Sequence, residues 1–333
     1  MNSLPCKIFD IASETEFRLL CLEIFRMQAQ HCCVYKEYLE LTGCNPWKVN
    51  SINQIPFLPV RFFKSKKIVT TRPDDTESKK EEIIFTSSAT TGMTPSKHYV
   101  ADLKLYERSF TETFRRFYGD PAQYAILSLL PSYLERKGSS LVYMAEYLMK
   151  LTKNPASGFY LYNFRELADT LTRLKGEGQK TILLGVTFAL LDFVKEYKTD
   201  FPQLTVIETG GMKGRGREIA RNMLHKILCE GFGVEKIHSE YGMAELLSQA
   251  YSKGDGLFLT PPWMKIVIRD LYDPFSYRDG FNITGGINII DLANINSCSF
   301  IETEDMGRIT DRGFEVLGRM KDAERRGCNM LIE

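Results

Sequence analysis

The chain has 333 residues, 44% hydrophobic and 26% charged, and 43 Lys and Arg stand against 42 Asp and Glu for a formal net charge of +1. A chain this long buries most of its apolar surface without staples, and so even a charge balance removes the electrostatic case for nucleic acid or an anionic membrane as partner. Eight cysteines do not read as a disulfide framework at this length, Met1–Asp10 carries no signal-type pattern, and the longest apolar run, Ile182–Val194, is interrupted by Thr187 and Asp192. The expectation is a cytoplasmic protein without membrane insertion, with most cysteines buried as small hydrophobes.

From the N-terminus, Glu14–Leu41 has helical periodicity, with Phe17, Leu20, Cys21, Ile24, Phe25 and Gln28 on one face. Pro56 and Pro59 then make "IPFLPVRFF" an extended, aromatic-rich connection, and "TTRPDDTESKKEE" reads as an exposed charged turn between strands. "IIFTSS" is a strand entering a hydroxyl-rich loop, after which Ser96 is a candidate cap for a helix running to about Tyr118. "YAILSLLP", "TILLGV" and "LTVIETGG" are strand-like and alternate with the helical "SSLVYMAEYLMKL", "FALLDFVKEY" and "GREIARNMLHKIL". Such alternation predicts an α/β fold with a largely parallel sheet. Beyond Lys236, "KIHSEYG", "WMKIVIRD" and "GINIIDL" follow closely enough to predict an antiparallel or barrel-like section. No internal repeat and no low-complexity linker marks a domain break before about Gly318.

The loop "TSSATTGMTPSK" gathers Thr86, Ser87, Ser88, Thr90, Thr91, Thr94 and Ser96 around Gly92 and closes on Lys97. Short hydroxyls and exposed backbone N–H groups wrap phosphate oxygens, and a lysine adds a point charge. The composition also suits a polar surface loop, though less well, and the spacing matches neither a Walker loop nor GxGxxG. "ETGGMKGRGRE" places Gly210 and Gly211 after a strand with Lys213, Arg215 and Arg217 beyond, which fits close backbone approach to a ligand or a solvated Gly-rich turn. "YGMAE" sets Tyr241, Gly242 and Glu245 at a strand end, where a carboxylate beside phosphates suits magnesium and also suits an ordinary surface position. Asp305 in "ETEDMGRI" and Arg319 in "LGRMKD" fall at turn-like positions. No CxxC pair occurs and His31, His98, His225 and His238 are scattered, so zinc-type spacing is absent.

In this order the segments resemble the adenylate-forming superfamily of acyl- and aryl-CoA synthetases, from about Phe57 to the C-terminus. The resemblance implies a large α/β domain with mixed, mostly parallel sheets flanked by helices, plus a smaller barrel-like β section. It also implies a core over residues 1–318, a hinge and short tail over 319–333, and a C-terminal lid domain that is essentially absent. The 86–97 loop looks like the family's phosphate loop and makes Lys97 a catalytic candidate. Gly210 and Gly211 are similar to the turn lining the adenine site. Tyr241, Gly242 and Glu245 resemble the motif whose aromatic stacks on adenine and whose glutamate holds magnesium. Asp305 and Arg319 resemble the pair that contacts the ribose, with Asp322 near the hinge. ATP and Mg2+ are thus the implied cofactors.

Within the superfamily, "IPFLPVRFFK", "GSSLVYMAEYL", "ETGGMKGR", "YGMAELLSQ" and "RGCNML" are similar to the acyl-protein synthetases of bacterial bioluminescence fatty-acid reductase systems. That likeness implies a fatty or other carboxylic acid as substrate, activation to acyl-AMP, and transfer to Cys328, beside Arg325 and Arg326. An acyl-reductase or acyltransferase protein is the implied partner. Ala89 departs from the loop's usual glycine, Met93 and Thr94 alter its spacing, and Ala244 replaces a threonine, a loss of about 1.5–3 kcal/mol if that hydroxyl bonded a charged group. Two alternatives stand beside this reading: a phenylacetate-type CoA ligase, and a nucleotide- or acyl-binding subunit without catalysis. Phe188 and Tyr133 are candidates for lining an acyl pocket, although aromatics at such positions more often belong to the core.

Overall fold

The computed structural model describes residues 4–71, 82–87, 94–131, 138–210 and 219–320. After a short helix α1 (Leu4–Phe9), Ser13 opens α2 (Glu14–His31) with a full capping box: its hydroxyl accepts from the Glu16 N–H while the Glu16 carboxylate accepts from the Ser13 N–H. The predicted face of Phe17, Leu20, Cys21, Ile24, Phe25 and Gln28 is buried. The helix does not run on to Leu41 as its periodicity suggests. Cys32 turns extended (φ −99°, ψ 100°) to bridge Thr70, and α3 (Cys33–Leu41) starts afresh. A tertiary pairing, invisible to local propensity, makes the break.

The connection after Pro56 is extended as expected: it forms β1 (Leu58–Pro59) before the single turn α4 (Phe62–Ser65). The strands β2 (Ile83–Thr86) and β3 (Lys97–Val100) pair antiparallel as a separate ribbon. Asp102, not Ser96, then caps α5 (Leu103–Tyr118), its carboxylate accepting from the Leu105 N–H at 3.1 Å.

Next come β4 (Ala125–Leu129), α6 (Ser140–Thr152), β5 (Gly158–Tyr160), α7 (Phe164–Gly176), β6 (Thr181–Val186), α8 (Thr187–Glu196), β7 (Thr205–Thr209), α9 (Arg221–Phe232) and β8 (His238–Tyr241). Strands β5, β4, β6, β7 and β8 lie parallel in that order. Every residue of β4 and of β6 is buried, as it must be where helices cover both faces of a parallel sheet.

The later strands are β9 (Ala250–Ser252), β10 (Leu257–Leu259), β11 (Met264–Arg269), β12 (Thr284–Asp291), β13 (Phe300–Thr310) and β14 (Gly313–Arg319). They pair antiparallel, as predicted, and the β8–β9 pairing carries them into the parallel half without a break. Twelve described strands thus make one sheet. The N-terminal helices pack on its antiparallel half through Phe300, whose ring meets Phe25 edge-on at 5.7 Å and stacks on Tyr35 at 6.0 Å. Of the described cysteines Cys21, Cys32 and Cys298 are buried, but Cys6, Cys44 and Cys229 are half-buried and Cys33 is exposed.

Gln28 ties α2 to the loop after β12. Its fully buried amide nitrogen donates to the carbonyls of Asn294 and Ile295, both at 3.1 Å, and its oxygen accepts from the Ser299 N–H at 2.9 Å. Gln28→Leu keeps the bulk but strands these groups, at about 1–3 kcal/mol for each one left unsatisfied. Urea unfolding is expected to show a loss of at least about 2 kcal/mol; an unchanged midpoint contradicts it.

Candidate active site

In an open α/β sheet the carboxyl ends of parallel strands are where ligands bind. Here β7 and β8 end side by side, Thr209 opposite Glu240, with Gly210 and Gly242 just beyond. Gly210 sits at φ +65°, and the Thr187 hydroxyl at the start of α8 donates to its carbonyl at 2.5 Å. Gly242 is required for a different reason. The Glu240 carboxyl, which accepts from the Thr209 hydroxyl, folds over it and occupies the space a Cβ needs.

The turn after β8 carries Glu245 back into the protein, 4% exposed. Burial raises its pKa, opposed first by the hydrogen bond donated by the Ser96 hydroxyl. Among the described residues no lysine, arginine or histidine forms an ion pair with it; Arg319 and Lys64 favour its ionised form from further away. Two further contacts hold the backbone of the turn. The ring Nδ1 of His98 lies 2.8 Å from the Ala244 carbonyl oxygen, and Asn294 donates to the Glu245 carbonyl at 2.7 Å. Burial lowers the His98 pKa to about 4, so the ring is neutral and Nδ1 carries the proton that the carbonyl accepts.

Beyond the same strand end, the Tyr241 hydroxyl donates to Asp305 at 2.8 Å, and the Arg319 Nε lies 3.8 Å from the other Asp305 oxygen. Asp305 and Arg319 are not turn residues as expected. They face each other across β13 and β14, next to the bulge between Met306 and Gly307. Burial raises the Asp305 pKa, while the Tyr241 hydrogen bond and the Arg319 charge oppose it. Burial and the neighbouring Asp305 charge push the Tyr241 phenol well above its usual value. The turn that carries Glu245 and the Tyr241–Asp305 contact therefore both lie at the end of β8.

A model of the acyl-protein synthetase family LuxE matches residues 2–333. The chain belongs to that family. It is similar to the long-chain-fatty-acid–luciferin-component ligase of Vibrio harveyi, 23% identical over 326 residues, covering 90% of this chain and 82% of that one. The ligase of the same description from Aliivibrio fischeri is 23% identical over 313 residues, covering 85% and 79%. Among solved structures, a 2-hydroxyisobutyryl-CoA ligase in complex with its acyl-AMP and CoA superposes with a TM-score of 0.68 at 13% identity, over 92% of this chain and 69% of that one. MatB from Rhodopseudomonas palustris gives a TM-score of 0.51 at 15% identity, over 76% and 50%. The fold is thus that of the adenylate-forming ligases, and the protein is an acyl-activating enzyme of the ligase type.

Within this family frame the structure gathers Ser87, Ser96, Glu245, Gly210, Tyr241, Gly242, Asp305 and Arg319 at the strand ends. Thr86 closes β2 with its N–H bonded to the Gly138 carbonyl at 2.8 Å. Lys97 is not brought to Glu245: it is exposed and alternates with the buried Ser96 and His98, so its side chain leaves the opposite face of the β2–β3 ribbon. Phe188 is core, buried in α8. Ser88, Ala89, Thr90, Thr91, Gly92, Tyr133, Gly211, Lys213, Arg215, Arg217, Asp322 and Cys328 lie outside the described residues. No described helix is long and apolar enough to cross a membrane.

Four residues at the site escape a reading of motifs: His98, Thr187, Glu208 and Glu240. Glu208, 6% exposed, accepts from Thr187 at 3.1 Å and lies 3.7 Å from the His225 Nε2. The signal available was an acidic residue inside each of two strands, "IET" and "SEY", that the sheet must bury. Burial raises the Glu240 pKa from its ordinary 4.5 to about 7; the Thr209 hydrogen bond opposes and the Glu208 charge adds. Below about 4.5 both folded and unfolded states hold this proton, and between 4.5 and 7 only the folded state does. Its contribution is therefore full in acid and lost as pH rises through about 7; Asp291, raised to about 6 by burial, slopes the same way. Thermal unfolding is expected to fall in midpoint from pH 5 to pH 8, and to fall less in Glu240→Gln. Parallel curves for the two proteins contradict the assignment.

Proposed function

We propose that the enzyme activates a carboxylic acid, a fatty acid in the first instance, as its acyl-AMP and passes the acyl group to a protein thiol, that of Cys328. The observation that carries this reading is Glu245, a buried carboxylate without a cation partner among the described residues, set against the foot of the 86–97 loop. Similarity to the long-chain-fatty-acid–luciferin-component ligase of Vibrio harveyi supports the substrate class.

In this reading ATP lies with its phosphates along the loop that Ser87 and Ser96 close, and with its ribose hydroxyls against Asp305. The donor set suits magnesium, which takes one or two carboxylates together with phosphate oxygens, and Glu245 is the residue to hold it. When bound, magnesium neutralises phosphate charge. The acid's carboxylate oxygen attacks the α-phosphorus; that P–O bond forms as the α–β bridge bond breaks, and pyrophosphate leaves. Catalysis is chiefly positioning and charge neutralisation. The thiolate then attacks the acyl carbon, the C–O bond to phosphate breaks, and AMP departs as the thioester forms.

Intact-mass measurement after incubation with ATP, Mg2+ and a mixture of fatty and aryl acids tests this. The expected product is the chain plus one acid less one water, lost in Cys328→Ser while ATP–pyrophosphate exchange continues. An adduct that survives Cys328→Ser, or a thioester formed only with added coenzyme A, contradicts the acceptor. Absence of exchange with every acid contradicts the activation step. Glu245→Gln is expected to slow exchange by about a hundredfold or more, on the scale of losing one charge-stabilising group at a reacting centre.

A further inference from the structure

Ser87 and Ser96 stand at the two feet of the 86–97 loop. The Ser87 N–H donates to the Ser96 carbonyl at 3.2 Å, and the Ser96 N–H donates to the Ser87 hydroxyl oxygen at 2.9 Å. The two hydroxyl oxygens are 2.8 Å apart, and the Ser96 hydroxyl also meets Glu245. The Ser96 hydroxyl thus lies within hydrogen-bond reach of both the Ser87 hydroxyl oxygen and the Glu245 carboxyl, and so joins the two feet of the loop to the turn after β8.

Ser96 is 3% exposed and stands on the buried face of the ribbon with His98, whose ring touches the residue before Glu245. One face of β3 thus holds both the side chain and the backbone of the turn. Residue 244 is alanine and brings no hydroxyl of its own.

We infer that Ser96 is a positioning residue for the Glu245 carboxylate: its hydroxyl fixes the rotamer that receives a divalent cation and locks the two feet of the loop to that carboxylate. This rests on the reading of Glu245 as a magnesium ligand. Groups that orient a ligating carboxylate typically account for about 10–100-fold in metal affinity.

Calorimetric titration of the full chain with ATP, in Mg2+ and separately in EDTA, tests the inference without relying on turnover. Ser96→Ala is expected to shrink the Mg2+-dependent gain, the ratio of ATP affinity in Mg2+ to that in EDTA, by about tenfold or more. Ser96→Thr, which keeps the hydroxyl, is expected to retain most of the Mg2+-dependent gain; Ser96→Cys, near in size but a weak donor, is expected to follow Ala. Thermal midpoints read alongside separate a folding defect, which lowers both titrations together. Equal Mg2+-dependent gains in Ser96→Ala and the unaltered chain overturn the inference alone. Absence of any Mg2+-dependent gain in the unaltered chain overturns it together with the reading of Glu245.

Discussion

A carboxylate taken out of water without a cation beside it costs several kcal/mol unless hydrogen bonds or an incoming charge compensate. Among the described residues no cation pairs with buried Glu245, and much of the local architecture follows from it. The Ser96 hydroxyl meets the side chain, Asn294 and His98 meet the backbone, and Gln28 holds the loop that carries Asn294. Elements from both ends of the chain therefore converge on one turn. Among the described residues the β2–β3 ribbon pairs with no strand of the large sheet; Ser96 and His98 link it to that turn, with Phe63 edge-on to the His98 ring at 5.7 Å. Glu245 is thus one anchor of the hairpin, beside the Thr86–Gly138 backbone bond and the packing of Phe85 on Tyr106 and Tyr143.

The opposite wall is organised by a second buried ion. Arg269 is 3% exposed and donates to the Ile287 carbonyl at 3.0 Å, the Asn288 side chain at 2.9 Å and the Thr303 carbonyl at 2.8 Å. A guanidinium has five donors and tolerates burial only where acceptors meet them in its plane. Gly286 supplies the room, since a Cβ there would run into the guanidinium, and the β12–β13 register slips between Gly286 and Asn288. Thr303, anchored through its hydroxyl to the Ile287 carbonyl at 2.7 Å, accepts from the Asp305 N–H at 3.1 Å. Asp305 therefore inherits its position from Arg269 through two residues of β13, and the Tyr241–Asp305 contact joins this wall to the end of β8.

What the chain disclosed in advance divides along physical lines. The parallel strands were readable because double-sided burial writes a nearly unbroken apolar run, as in Ile182–Val186. Gly210, Tyr241 and Glu245 were readable because strand-end chemistry is local. The break at Cys32 was not, because its cause is Thr70, far along the chain. Ser96 was mistaken for a cap because a hydroxyl before a helix is the usual signature; the cap is Asp102, six residues on, and Ser96 spends its proton on a residue 149 positions away. Asp305 and Arg319 were expected at turns, yet they pair across β13 and β14, and the nearby Gly307 serves a bulge, where Glu315 and Ile287 leave no space for a Cβ. Long-range partners decide these cases, and periodicity carries no trace of them.

The proposed transfer also meets a covalent constraint. Arg319 ends β14 beside Asp305, and Cys328 follows it by nine residues. An extended chain spans at most about 3.3–3.6 Å per residue, so the tether between them is no longer than roughly 30 Å. A thiol so tethered is held at high effective concentration relative to any acyl-AMP formed against Asp305, and effective concentration falls as a tether lengthens. For coenzyme A to compete it must be bound in its own right, whereas the Cys328 thiol is already present in the same molecule. Transfer to a protein thiol thus needs less from this sheet end than transfer to a diffusing one, and the Arg319 charge, which favours ionised Asp305 and ionised Glu245 alike, stands where that tether begins.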